Sequence, residues 1–362
     1  MRVVAAPDSF KGSISAAGAA AALAAGWLQV RPGDEVIQLP LADGGEGTQA
    51  VLAADAPDSR WHQVEVSGPA DARVLASWLE MAGNVAVVEL ATAAGLTQLS
   101  ELRPMTAHSY GVGELIADSL TAGARKIVVA LGGSACTDGG TGALAALGAR
   151  FTDAAGAPLP RGGGALRKLA GIDLTGLLPP PEGGVTCLTD VRAPLLGPAG
   201  AATVFGPQKG ASAAQVAALE AGLARLASLL GGDPAEPGAG AAGGCGYGLA
   251  AGWGAQLQPG AAELAAIAGL PGALEGADLV ITGEGQYDAS SEGGKVVGAV
   301  RAMAAAAPAA VPVAVVAGRV AVPPPAGVRA VELAALAEGT HVALADPGRW
   351  LAEAAALLAA AV

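Results

Sequence analysis

The sequence predicts an α/β protein built as two domains. Three observations carry that reading. Short β-branched runs alternate with Ala/Leu-rich stretches of helical period; 362 residues exceed what one ordinary core accommodates; and between about 61 and 90 the alternation gives way to three strand-like runs in succession. In chain order, Val3-Val4 reads as a buried strand, 16–27 as a helix and 35–41 as a second strand. The runs "WHQVEVSGP", "ARVLASWLEM" and "NVAVVELA" follow, separated by turn residues, as a meander that suits a mixed or antiparallel sheet. Further strands are expected at 127–131, 185–188, 278–282 and 311–316. Helices are expected at 213–230, where Ser212 and Gln215 have capping-box spacing, and at 348–361, where Asp346-Pro347 supplies a cap and a first-turn proline.

Apolar residues make up 52% of the chain, mostly alanine, so the core is adequate but poor in aromatics. Each apolar run is cut by Gly, Pro or charge before about 18–20 residues, and no membrane span is expected. The N-terminal "MRVVAAPDSFKGS" has too short an apolar run for a signal peptide, so a cytoplasmic protein is expected. Cys136, Cys187 and Cys245 lie far apart and with only three histidines form no zinc-like pattern, which leaves free thiols. A formal charge of −12 argues against a nucleic-acid or anionic-membrane partner, though not against a small anionic ligand met by a few local cations.

Five expected strands run into similar junctions: "APDSFKGS", "ADGGEGT", "GGSACTDGGTG", "TDVRAPLLGP" and "TGEGQYD". In open α/β sheets ligands bind beyond the carboxyl ends of strands, where amides and helix N-termini meet an anion, so these junctions point to a polar cleft. Residues 278–295, "DLVITGEGQYDASSEGGK", have nearly the outline of a phosphate loop. They fail the Walker pattern: Asp288 stands where its first glycine belongs and Val296 follows the lysine. "GAGAAG" at 238–243 matches a dinucleotide fingerprint but follows a loop, so it reads as chance in a chain with 55 glycines.

Three of the five lysines, Lys11, Lys209 and Lys295, sit among small residues, where a compact ammonium can approach a phosphate oxygen. Asp8, Asp43, Glu46, Asp138, Asp190, Glu284 and Asp288 all occupy Gly/Ser-rich turns. Any one of them more commonly caps a helix or closes a turn. Together with the lysines they point to Mg²⁺ ligands and a proton acceptor, because Mg²⁺ is usually held by one or two carboxylates with phosphates and water.

With these motifs assembled, "APDSFKGSISA", "PLADGGEGT", "SYGVGELI", "LGGSACTDGGTGALAALG", "CLTDVRAPLLGPAGAATVFGPQKGA", "GAGAAGGCGYGL" and "DLVITGEGQYD" with its later lysine closely resemble the bacterial glycerate kinases of the glycerate 2-kinase group. The resemblance runs from residue 5 to about 318. It implies phosphorylation of D-glycerate by ATP with Mg²⁺, the 2-hydroxyl being the expected acceptor and the 3-hydroxyl the alternative. It also implies a flavodoxin-like and a restriction-endonuclease-like domain with the active site between them: 1–60 plus 272–362 form one domain and 61–271 the other, inserted domain. The chain departs from the family pattern at Gln286 and 288–291, at Cys136-Thr137, and at Ala193.

Phosphoryl transfer leaves a protein mainly to position reactants and neutralise charge. On the family reading, Asp190 takes the hydroxyl proton, with Lys11 and Lys209 as catalytic cations. Ser9, Ser134, Asp138 and Arg192 face glycerate, Arg192 because its fork can bond both carboxylate oxygens. Gly283, Gly285 and Lys295 meet the nucleotide in a loop, and Asp43, Glu284 and Asp288 hold Mg²⁺ directly or through water. Glycerate and ATP are then the partners, and a homodimer is allowed. The rivals are a non-catalytic sensor of a small phosphorylated acid, which needs no base or metal, and a nicotinamide-dependent oxidoreductase.

Overall fold

The computed structural model describes residues 1–362 except Lys11, Glu46, Asp55, Pro57, Gly293 and Gly294. The chain divides into two compact units, the first of 1–43, 50–57 and 259–362, the second of 44–49 and 58–258. The first unit starts with β1 (Arg2–Ala5), helix Ala16–Val30 and β2 (Glu35–Gln38). The second unit carries β3 (Arg60–Ser67), β4 (Arg73–Met81), β5 (Val85–Glu89), β6 (Lys126–Ala130), β7 (Arg150–Thr152), β8 (Gly171–Asp173), β9 (Val185–Leu188) and β10 (Gln256–Gln258). The chain then returns to the first unit for β11 (Leu279–Tyr287), β12 (Val313–Val320) and β13 (Arg329–Glu332).

In the first unit the sheet runs β13-β12-β11-β1-β2, every pair parallel. Counted within the unit this is the order 2-1-3-4-5, the flavodoxin-like arrangement, whose reversal of direction falls between β1 and β11. Both faces are covered, which is why the strands read as unbroken apolar runs. Val3 and Ala5 pack on the side of helices Ala16–Val30 and Pro347–Ala360, with Leu23, Trp27 and Leu351. Val4 and Val280 pack on the other side against Ala261, Leu270, Val296 and Val300.

The expected second domain crossing at 271/272 is therefore corrected to 258/259. Helices Gly260–Ile267 and Leu270–Leu274 belong to the first unit, because Ala261, Ala265, Leu270 and Leu274 bury their side chains in its core.

The second unit's sheet runs β10-β9-β6-β5-β4-β3. The 61–90 meander is the antiparallel part, β3-β4-β5, and β5, β6, β9 and β10 continue it in parallel. Its core gathers Trp78, Leu115, Ile127, Val129, Leu223 and Tyr247. Helix Ala213–Leu230 opens on the expected capping box, Ser212 Oγ accepting from Gln215 N and the Gln215 side chain accepting from Ser212 N. Among the described residues this helix alone is long and apolar enough, by length and a mean hydropathy of 1.3, to match a membrane span. It carries Glu220 and Arg225, and Leu219, Leu223 and Leu226 bury one face in this unit's core.

The three cysteines are free and buried. "GAGAAG" is a packing device: Ala242, Gly243 and Gly244 have positive φ, and a Cβ on Gly243 would lie 2.2 Å from the Cys136 carbonyl oxygen.

Candidate active site

In the first unit the carboxyl ends of the strands surround a cavity of about 430 Å³. Asp8 and Ser9 come from the segment after β1, Asp43 from the segment after β2, Glu284 and Gly285 from β11, and Gly318 and Arg319 from β12. The cavity thus spans the reversal between β1 and β11, where this sheet order places its ligands. Backbone pairing sets the groups in place: Asp8 N donates to Gly283 O at 2.9 Å, and Ser9 N donates to Asp8 Oδ1 at 2.6 Å.

Glycines 283 and 285 were expected in a loop and lie in a strand, because β11 continues beside β12 through Gly283↔Val316, Glu284↔Ala317 and Gln286↔Arg319. Gly283 is buried inside the sheet, where a Cβ would meet Val316 O at 2.0 Å, and it lies outside the cavity lining. Gly285 does line the cavity.

Glu284 is 8% exposed. Its Oε1 is buried without a hydrogen-bond partner among the described residues, and Oε2 lies 3.8 Å from Lys295 Nζ. Burial raises its pKa, with the Asp288 and Asp43 carboxylates adding to the rise, while the Ser291 hydroxyl and Lys295 oppose it. Asp288 is the reverse case. Its Oδ1 accepts from Ser290 N at 2.8 Å and Ser290 Oγ at 2.6 Å, and Oδ2 accepts from Gln286 Nε2 at 3.2 Å. The Ser290 donors hold its pKa down to about 2, and it closes an Asx-turn. Lys295 is the cap residue of helix Val296–Ala306 and lines the same cavity.

An orphaned buried carboxylate oxygen beside two further carboxylates fits a divalent cation. No group of three His, Cys, Asp or Glu among the described residues is arranged to hold a metal on protein ligands alone. The donor set therefore suits Mg²⁺ that keeps water and phosphate oxygens in its shell.

In the second unit a smaller cavity of about 150 Å³ is lined by Ser134, Asp190 and Lys209. Lys209 is 2% exposed, and its Nζ donates to Ser134 Oγ at 2.9 Å and to Cys136 O at 2.5 Å. Burial lowers its pKa, against the nearby Cys136 and the Asp138 carboxylate, which pull it up. Two of its three donors thus fasten the loop after β6. Asp190, just past β9, is exposed.

Asp138 and Arg192 lie outside this lining. Asp138 is fully buried and accepts from Ser109 N, Ser109 Oγ, Gly140 N and Gly142 N, at 2.9 to 3.2 Å. That tethers the start of helix Thr141–Ala146 and leaves little for a ligand. Arg192 is exposed. Lys11 and Glu46 lie outside the described residues.

Of the residues singled out from sequence, the first cavity gathers Asp8, Ser9, Asp43, Glu284, Gly285, Asp288 and Lys295, and the second gathers Ser134, Asp190 and Lys209. Arg319 was missed. Gly318-Arg319 follows the apolar run of β12 as the other junctions follow theirs, and the same strand-end rule points to it. The apolar side of the first cavity, with Leu333, Ala343, Leu344 and Pro347, was also missed, since nothing in the local pattern brings those residues to a ligand.

Comparison with known proteins supplies the rest. A family model for the glycerate kinase family matches residues 3–362. The glycerate 2-kinase of Escherichia coli (strain K12) is 41% identical over 305 residues, which cover 82% of this chain and 80% of that protein. The glycerate kinase of Bacillus subtilis (strain 168) is 42% identical over 306 residues, with 82% and 79% covered. A crystal structure of a candidate glycerate kinase 2 from Salmonella typhimurium LT2 superposes with a TM-score of 0.86 at 37% identity, covering 100% of this chain and 98% of that one. The chain belongs to the glycerate kinase family.

Proposed function

We propose that this kinase transfers the terminal phosphoryl group of ATP to the 2-hydroxyl of D-glycerate, giving 2-phosphoglycerate and ADP. The observation that carries the nucleotide half is the first cavity: a buried carboxylate with an orphaned oxygen, two neighbouring carboxylates and a lysine at a helix start, all at the reversal point of a flavodoxin-like sheet. Glu284, Asp43 and Asp288 would hold Mg²⁺, which when bound neutralises phosphate charge. Lys295 and the amides opening helix Val296–Ala306 receive phosphate oxygens, and Gly285 lets the backbone come close.

The acceptor half draws on the second unit. The Asp190 carboxylate takes the proton of the attacking hydroxyl; that oxygen bonds to phosphorus as the bond to ADP breaks, and the proton leaves with Asp190. Lys209 holds the Ser134 loop with two of its donors and, among the described residues, keeps a third for the glycerate. Arg192, two residues beyond Asp190, meets the carboxylate. Coupled measurement of ADP release tests this: ADP formation that requires D-glycerate and Mg²⁺ supports it, and binding without glycerate-dependent ADP release would make the protein a sensor.

A further inference from the structure

The lining of the first cavity is of two chemical kinds. Asp8, Asp43, Glu284, Asp288, Lys295 and Arg319 are charged; Phe10, Leu333, Ala343, Leu344 and Pro347 are apolar. Phe10, Leu333 and Ala343 belong to the unit's core, but Leu344 is 56% exposed, an apolar side chain held at the cavity without cover. A hydrocarbon group in that position gains from a ligand that removes it from water.

Resting on the phosphoryl-transfer reading, only one of the two substrates can supply such cover. Glycerate is polar at every carbon. The nucleotide carries a flat purine, and on that reading its phosphates meet the charged groups that line the same cavity. We infer that Leu333, Ala343, Leu344 and Pro347 form the wall on which the nucleobase of the ATP lies, with Leu344 as its exposed edge. Helix Thr340–Ala345 also supplies a control: Val342 is 48% exposed on the same helix and does not line the cavity.

The test is calorimetric titration of the full chain with ATP and, separately, with inorganic tripolyphosphate, both with Mg²⁺. The proteins are wild type, Leu344→Asp and Val342→Asp. The wall predicts that Leu344→Asp weakens ATP binding at least tenfold and leaves tripolyphosphate within twofold, while Val342→Asp changes neither. Equal losses for the two variants, loss of both ligands together, or unchanged ATP binding by Leu344→Asp would each overturn it. These outcomes are separate from the fate of the kinase reading. Glycerate-dependent ADP release with a silent Leu344→Asp defeats only the base wall. The predicted binding pattern without glycerate phosphorylation defeats only the kinase reading.

Discussion

At Glu284 folding and function pull in opposite directions. A buried carboxylate oxygen with no hydrogen-bond partner among the described residues costs the folded state free energy, and burial raises the pKa of this group. The folded protein therefore holds the Glu284 proton to higher pH than the unfolded chain does. Stability from this group is complete below the unfolded pKa and is lost as pH rises through the folded one. Glu284→Gln fixes the neutral form, so at neutral pH it should raise stability by about 1 kcal/mol, roughly 2–4 °C in Tm. The difference from wild type should shrink as the pH falls and wild-type Glu284 takes up its proton. Melting curves across pH check the sign, and the same variant should lose about tenfold or more in kcat/KM for ATP. Asp190→Asn should lower kcat by roughly 10² to 10⁴ with ATP binding intact, as expected for a lost general base. Near-normal kcat would move the base to Asp8 or Asp43, since Asp138 is committed to four hydrogen bonds.

Helix ends were the most legible elements. The Ser212 box and the Asp346 cap, whose side chain accepts from Arg349 N, are local chemistry and lie where the spacing places them. Strand ends were less legible. β11 runs five residues beyond Thr282, through glycines and an acid, because β12 lies alongside to pair with it, and no local signal announces that partner. Close helix packing was equally silent. At Gly26 in helix Ala16–Val30 an added Cβ would lie 1.9 Å from the carbonyl oxygen of Ala352 in helix Pro347–Ala360. Gly26→Val should therefore cost about 1–3 kcal/mol by overpacking, although glycine is the poorer helix former. Urea unfolding should show a lower midpoint with an unchanged slope.

At the scale of the molecule, the first unit cannot complete its sheet until the chain returns, because β1 pairs with β11 across the whole inserted segment. The second unit is contiguous apart from 44–49 and has its own core. Residues 58–258 expressed alone should melt cooperatively. Their Tm should fall below that of the same unit in the full chain, since the Gln49 side-chain bonds to Ser77 O and Val87 O and the Gly47 N bond to Glu89 are lost. The α/β class and the antiparallel start of the second sheet were legible from periodicity. The crossing at 258/259 was not, because alanine-rich helices such as Gly260–Ile267 could serve either core. The site was legible as a set of residue types at strand ends. Sequence could not separate Asp138, which is spent on capping, from Asp43, which lines a cavity, because both sit in the same glycine-rich surroundings. The central claim is phosphoryl transfer from ATP to the 2-hydroxyl of glycerate. It is tested most directly by proton-coupled ³¹P NMR of the product formed from D-glycerate, ATP and Mg²⁺. Transfer to the 2-hydroxyl predicts a new phosphate-ester signal split into a doublet by the single proton on that carbon. A triplet from a CH₂ group would place the phosphate on the 3-hydroxyl, and no new ester signal would contradict the kinase reading itself.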